Sequence, residues 1–171
     1  MEKRIHSSNE SEEMYLKEML ALSAKGARAR TSGLAGALAV APASVTEMLA
    51  KLAKKGLVRH KAYQGAKLTQ KGRREAEKVM RRYQLLERFL ADCLKISKAE
   101  AARQACLMEH CVSKETEKRI CQIMGHPVSG MGETPMPKCR MRGCSCEPAK
   151  GPRLLAFKDA REHRRHQKSR Q

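Results

Sequence analysis

The chain has 171 residues, 36 of them Lys or Arg against 18 Asp or Glu, which gives a formal charge of +18. Aromatics are 3% and Trp is absent, so a core must be assembled from Leu, Ala, Val, Ile and Met. This excludes an aromatic-rich sandwich or barrel and favours helix packed on helix. The length allows one compact domain or two small ones, and the charge implies an acidic partner, nucleic acid before an anionic membrane surface.

Residues 1–10 read as a flexible polar lead. Met14, Leu16, Met19, Leu20 and Leu22 then carry a first helix from Ser11 to about Gly26. Thr31 is expected to cap a short second helix through Leu34 and Leu38. Across a tight connection, Pro42 opens a third helix over 42–55 with Val45, Met48, Leu49 and Leu52 inward. Proline suits the first helical position because its missing N–H is not needed there. Two short strands, 57–63 and 66–69, flank a turn at Gln64-Gly65. A long helix over about 71–93 follows, carrying Ala76, Val79, Met80, Tyr83, Leu86, Phe89 and Leu90. Ser97-x-x-Glu100 is a capping box opening a fifth helix, and Ser113 opens a sixth that stops at Gly125-His126-Pro127. Beyond Val128 periodicity is lost, and the chain closes with a short helix expected around 154–163 and a basic tail.

No apolar stretch approaches the roughly 18 residues that span a bilayer. No apolar segment of a secretory signal follows Met1-Glu2-Lys3-Arg4-Ile5-His6. The expectation is a cytoplasmic protein without membrane contact. Its seven cysteines are odd in number and irregularly spaced, which favours reduced thiols and metal ligands over a disulfide framework.

A short helix, a tight turn, an amphipathic helix and a hairpin form the pattern of a winged helix-turn-helix. The amino end of the third helix carries small or polar residues, Pro42, Ala43, Ser44, Thr46 and Glu47, opposite its apolar face. Small side chains let a helix enter the major groove of double-stranded DNA, and hydroxyls and free N–H groups at a helix start bind phosphate. Glu47 can accept from cytosine and Ala43 can touch a thymine methyl. Thr31, Ser32 and Lys51, with Arg59, His60, Lys61 and Lys67 on the hairpin, complete the expected DNA-binding set.

Within Ala105-Cys106-Leu107-Met108-Glu109-His110, a thiol, a carboxylate and an imidazole stand at i, i+3 and i+4. That spacing puts them on one helical face, and all three bind transition metals. A metal needs at least a fourth ligand. The pair Cys106 and His110 could also be a nucleophile and its base, but no orienting third group or Gly-rich loop accompanies it, so the chain is not expected to be an enzyme.

Five collinear motifs point further: Glu13-Met14-Tyr15-Leu16, Ala43-Ser44-Val45-Thr46-Glu47-Met48, Leu68-Thr69-Gln70-Lys71-Gly72, Leu85-Leu86-Glu87-Arg88-Phe89-Leu90, and Ala105-Cys106-x-x-Glu109-His110. Across about residues 11–127 the chain resembles the diphtheria toxin repressor family, metal-dependent repressors responding to iron or manganese. The resemblance implies a homodimer on a palindromic operator and a mainly α fold, in which a winged helix-turn-helix (1–74) precedes a helical metal-binding and dimerisation domain (75–127). It implies a metal site of Met14, Cys106, Glu109 and His110, with the metal clasping the two domains together as co-repressor. Manganese-responsive members have Asp at the Met14 position and Glu at the Cys106 position. Met14 and Cys106 therefore put Fe(II) first and Mn(II) second. The family's ancillary site falls here on Tyr83, Glu87 and Ala102, so of its ligands only Glu87 is kept. Too little chain follows Gly125 for the SH3-like domain of longer members, which implies a short form.

Residues 128–171 are expected to be a flexible tail. Its Cys139-x4-Cys144-x-Cys146 is off the usual zinc spacing, and a fourth ligand would come from His126, Cys111, Cys121 or His163. The readings are incidental thiols, a zinc knuckle, an iron–sulfur ligand set, or a thiol redox sensor. The last would make the chain a redox-sensing winged-helix regulator in place of a metal-dependent one.

Overall fold

The structure, a computed structural model, describes residues 8–24, 29–61, 65–131, 135–141 and 144, with the side chains of Ser8 and Lys61 outside the described set. Cys146, His163, the helix expected at 154–163 and the basic tail lie outside the described residues.

Helix α1 spans Ser8–Ala24, three residues ahead of the expected start. Glu10 in its first turn is favourable against the amino-terminal end of the helix dipole, so part of the supposed lead is helical. Tyr15, Leu16, Met19 and Leu20 form its buried face, at the i, i+4 spacing of one helix side. Helix α2 is Thr31–Leu38. Thr31 is its first residue rather than its cap; Arg30 holds the cap position in an extended conformation, with no side-chain cap. The reason lies in the preceding residue, because Ala29 bridges the hairpin through Ala66 N–H to Ala29 O at 2.9 Å. That bridge keeps the backbone extended up to the helix.

Ala39 ends α2 in the left-handed region, its N–H reaching the carbonyls of Ala35 and Gly36. Helix α3, Pro42–Lys54, then departs at 109° to α2, within the usual range for a helix-turn-helix. Pro42 opens it as expected, and Val45, Leu49 and Leu52 are fully buried with Leu34. Strands β1 (Val58–Lys61) and β2 (Gly65–Leu68) pair antiparallel, Val58 opposite Leu68 and Lys61 opposite Gly65.

Helix α4, Gln70–Arg88, is capped by Thr69, whose hydroxyl accepts from Gly72 N–H at 3.0 Å. The α-helix does not run on to residue 93; a π-helical turn, Phe89–Cys93, replaces its last part. Helices α5 (Lys98–Met108) and α6 (Lys114–Ile123) begin at Ser97 and Ser113, each hydroxyl accepting from the N–H three residues on. At Ser97 the box is half formed, since the Glu100 carboxylate turns instead to Arg103 and Gln104.

Two apolar cores lie along α4. One joins α1, α2, α3 and the hairpin as far as Ala76; the other joins Leu85, Leu86 and Leu90 to Ala101, Ala105, Ile120 and Cys121. The fold is mainly α, a winged helix followed by a helical domain. Among the described residues no single helix is long and apolar enough to cross a membrane.

The described part of the segment after Pro127 is laid on α4 as a strap. Ser129 bridges Pro135, Met136 is buried, and Arg81 and Arg88 of α4 donate to the carbonyls of Pro137 (2.8 Å) and Ser129 (3.0 Å). Arg140 pairs with Glu77 at 3.1 Å. Side chains binding backbone carbonyls need no periodicity in the strap, so pattern reading could not reveal them.

Candidate metal centre and nucleic-acid face

Cys106 sits in the last turn of α5, but the helix ends at Met108, so Glu109 and His110 lie just beyond it. Glu109 keeps helical dihedrals and bonds Ala105 O at 2.9 Å. The i, i+3, i+4 arrangement therefore survives the end of the helix. Helix α1 faces this turn with two residues that sequence reading did not single out. Glu13 Oε2 lies 2.8 Å from His110 Nδ1, and Lys17 Nζ lies 2.5 Å from Glu109 Oε1 and 3.8 Å from Cys106 Sγ. Lys17 also stands 4.5 Å from the centre of the Tyr83 ring, a cation–π contact.

Arg82 of α4 completes the frame. It donates to Glu109 O at 2.6 Å and to Glu117 at 3.3 Å, with Glu13 at 3.9 Å. Its guanidinium thus ties α1, the end of α5 and α6 together. The carboxylates of Glu109 and Glu13 outweigh burial at His110 and raise its pKa to about 9. Burial, and then the charge of Glu87, push the Tyr83 hydroxyl well above its ordinary range. Tyr83 donates to Glu87 at 3.1 Å, so the remaining ancillary candidate is engaged by a phenol.

The donors fit a divalent transition metal. Glu109 Oε2 and His110 Nε2 are buried without a hydrogen-bond partner, an arrangement that costs free energy unless something else binds them. His110 Nε2 lies 3.3 Å from Glu109 Oε1 without hydrogen-bond geometry. Because Glu13 takes Nδ1, Nε2 is the nitrogen left to ligate, the carboxylate–imidazole pairing that orients metal-binding histidines. The site already holds a cation, the Lys17 ammonium between Glu109 and Cys106. Met14 is half-buried on α1, next in the chain to Glu13.

In the winged-helix half, Pro42, Ala43, Ser44, Thr46 and Glu47 are all exposed at the start of α3, with Ser32 exposed and Thr31 half-buried at the start of α2. Arg59, His60 and Lys67 are exposed on the hairpin. Lys51 differs: it is half-buried and pairs with Glu12 at 3.0 Å, while Lys55 reaches the same carboxylate at 2.7 Å. Glu12 thus fastens α3 to α1. Burial alone would raise its pKa, but hydrogen bonds and charge from Lys55 and Lys51 lower it. A lowered carboxylate pKa contributes stability that is present above the unfolded value and lost as pH falls through the folded one. Glu12→Gln is therefore expected to cost about 1 kcal/mol at pH 7, small because the lysines are solvent-screened. Urea titrations should show wild type and variant converging as pH drops below 4; a constant gap would refute the assignment.

Of the tail cysteines, Cys139 and Cys144 are half-buried. Cys144 comes up against Cys121 and His126.

Two family descriptions match the chain. "Iron dependent repressor, N-terminal DNA binding domain" covers residues 9–66, and "Iron dependent repressor, metal binding and dimerisation domain" covers 69–138. The iron-dependent repressor IdeR of Mycobacterium bovis is 29% identical over 136 residues, 80% of this chain and 59% of its own length. The diphtheria toxin repressor of Corynebacterium glutamicum is 30% identical over 129 residues, 71% of this chain and 57% of its own. A solved manganese-dependent transcriptional repressor in complex with manganese superposes with a TM-score of 0.66 at 31% identity, over 75% of this chain and 59% of that one. The chain spans about three fifths of the length of these curated relatives. With both domain descriptions matched in order over a winged helix and a helical domain, the chain belongs to the iron-dependent repressor family.

Proposed function

We propose that the chain is a metal-activated DNA-binding repressor that works as a homodimer in the cytoplasm on a palindromic operator. The observation that carries this is the pair of buried ligand atoms without partners, Glu109 Oε2 and His110 Nε2, on the turn facing α1. Met14, Cys106, Glu109 and His110 would hold the metal. A divalent cation bound there supplies positive charge and coordinate bonds linking the DNA-binding half to the helical half. A thioether and a thiolate are soft donors, which favours Fe(II) over Mn(II).

The chain's own residues set the stage. Glu13 fixes the His110 ring. Arg82 holds the Glu109 carbonyl and spans three helices. The exposed start of α3 is the groove-entering element, and the hairpin lies alongside with Arg59, His60 and Lys67. Fixing the winged halves of a dimer in one orientation raises DNA affinity by removing the cost of ordering them, and by linkage DNA tightens metal binding equally. The helical domain exposes Leu94, Ile123 and Val128, apolar side chains suited to a second copy.

The test is a gel shift on genomic fragments under anaerobic conditions, with Fe(II), Mn(II), Zn(II) or chelator. Wild type should bind only with metal, and more strongly with Fe(II) than Mn(II) at equal concentration. Cys106→Ala should lose the metal response. Glu13→Gln should weaken metal binding about 10- to 100-fold through the histidine it orients. Operator binding that persists in chelator, or that ignores Cys106→Ala, would overturn the reading.

A further inference from the structure

At the carboxyl end of α6 a second group of metal-binding side chains converges, with no residue in common with the Cys106 centre. Cys121 is fully buried, and His126 and Cys144 are half-buried. Cys144 Sγ lies 3.8 Å from Cys121 Sγ; His126 Nδ1 lies 3.6 Å from Cys121 Sγ and 3.5 Å from Cys144 Sγ. The sulfurs are in contact but far beyond the roughly 2.05 Å of a disulfide. A tetrahedral zinc with bonds of about 2.3 Å to sulfur and 2.0–2.1 Å to nitrogen has S–S edges of about 3.8 Å and S–N edges of about 3.6 Å. All three observed separations match those edges.

Two further features point the same way. His126 has φ of +58°, following Gly125 at +67°, and its N–H bonds Cys121 O at 2.8 Å. The left-handed region is costly for a residue with a side chain, and here it brings the imidazole back over the end of α6 onto Cys121. Arg81 Nη2, itself buried, donates to Cys121 Sγ at 3.3 Å. The guanidinium holds that sulfur in place at the cluster.

We infer that Cys121, His126 and Cys144 form a second metal site, separate from the Cys106 centre, that takes a thiophilic divalent ion of the zinc class. Cys144 comes from beyond the strap, whereas Cys121 and His126 belong to α6 and the turn after it. The ion therefore pins the strap's end to the helical core, and Arg81 links the same sulfur to the strap carbonyl of Pro137. The sequence motif Cys139-x4-Cys144-x-Cys146 contributes one of its cysteines to this cluster, and its partners lie upstream, at Cys121 and His126.

Cobalt(II) is the probe, added anaerobically to the full chain carrying Cys106→Ala, which disables the first centre. One equivalent should give intense tetrahedral d–d bands and thiolate-to-cobalt charge transfer. Cys144→Ser should cut the charge-transfer intensity about in half, and His126→Ala should weaken cobalt binding at least tenfold, both with unchanged helical circular dichroism. Three results would each overturn the inference: no charge transfer in the Cys106→Ala chain, spectra indifferent to both further substitutions, or a Cys121–Cys144 disulfide by mass spectrometry of anaerobically prepared protein. Failure of the Cys106 centre would appear separately, as identical metal responses in wild type and Cys106→Ala.

Discussion

Replacing Lys17 by Leu should lower the stability of the metal-free protein by about 3 kcal/mol while tightening its metal binding at least about tenfold. Lys17 Nζ lies 2.5 Å from Oε1 of the fully buried Glu109 carboxylate, nearer than His110 Nε2 at 3.3 Å. Its ammonium also reaches Cys106 Sγ and the face of Tyr83. Removing one partner of a buried ion pair leaves the other charge uncompensated, which costs more than the pair itself contributes. A metal at Cys106, Glu109 and His110 has to displace that ammonium from the same oxygen and sulfur. Without Lys17 the ammonium competitor is gone, and a metal would take its place beside the carboxylate. The stability deficit of Lys17→Leu should therefore shrink on metal addition, because a ligand bound only by the folded state stabilises it in proportion to its affinity. Lys17→Arg keeps the charge and should behave close to wild type. Thermal melts with and without Mn(II), paired with chelator-competition titrations, read both quantities. An equal deficit in both states with unchanged affinity would show that Lys17 is an ordinary structural lysine.

The fold was legible where its causes are local. Pro42 at the start of α3, the hydroxyls at Ser97 and Ser113, and the apolar faces of α1 and α3 act within one or two turns, so a pattern of residues reports them. The trio Cys106, Glu109 and His110 was legible for the same reason. Glu13, Lys17 and Arg82 were not, although they hold that trio in place. Glu13 and Lys17 are four apart on α1 with opposite charge, which reads as a solvated helical pair. Their partners lie 97 and 92 positions away in the chain, respectively. Arg81 and Cys121 are equally remote in character: an arginine in a basic helix and a cysteine on an apolar face look like surface and core, yet they meet at 3.3 Å. The α2 start shifted because a bridge at Ala29 fixes the backbone there, a tertiary cause with no local signature. Lys51 is expected at a phosphate from its helix face, and the fold adds a partner with no local signature, Glu12 at 3.0 Å.

Gly72→Ala should destabilise the winged-helix half by about 3 kcal/mol or more and lower DNA affinity with it. Helix propensity alone predicts the reverse, since alanine is better than glycine inside a helix by about 1 kcal/mol. Packing decides the sign. A Cβ on Gly72 would stand 1.9 Å from Leu57 O and 2.8 Å from Leu57 C, and both are backbone atoms that no side-chain rotation can clear. The first turn of α4 would have to lift away from the residue that leads into β1. That movement breaks a compact set of bonds: Thr69 N–H to Leu57 O at 3.0 Å, and the Thr69 hydroxyl to Gly56 O at 2.8 Å or Leu57 O at 3.1 Å. It also exposes Leu57 and Val58, which are buried at the root of the hairpin. Arg59, His60 and Lys67 would then be carried out of position relative to α3, so DNA binding should fall even where the protein stays folded. Gly33 and Gly36 of α2 supply the control, because a Cβ at either meets nothing within 4 Å. Alanine there should raise stability by up to about 1 kcal/mol, as propensity predicts. Urea denaturation of the three variants separates the two effects. If Gly72→Ala proves as stable as wild type, α4 and the hairpin are not held at backbone contact, and the wing is free to move independently of the helix that follows it.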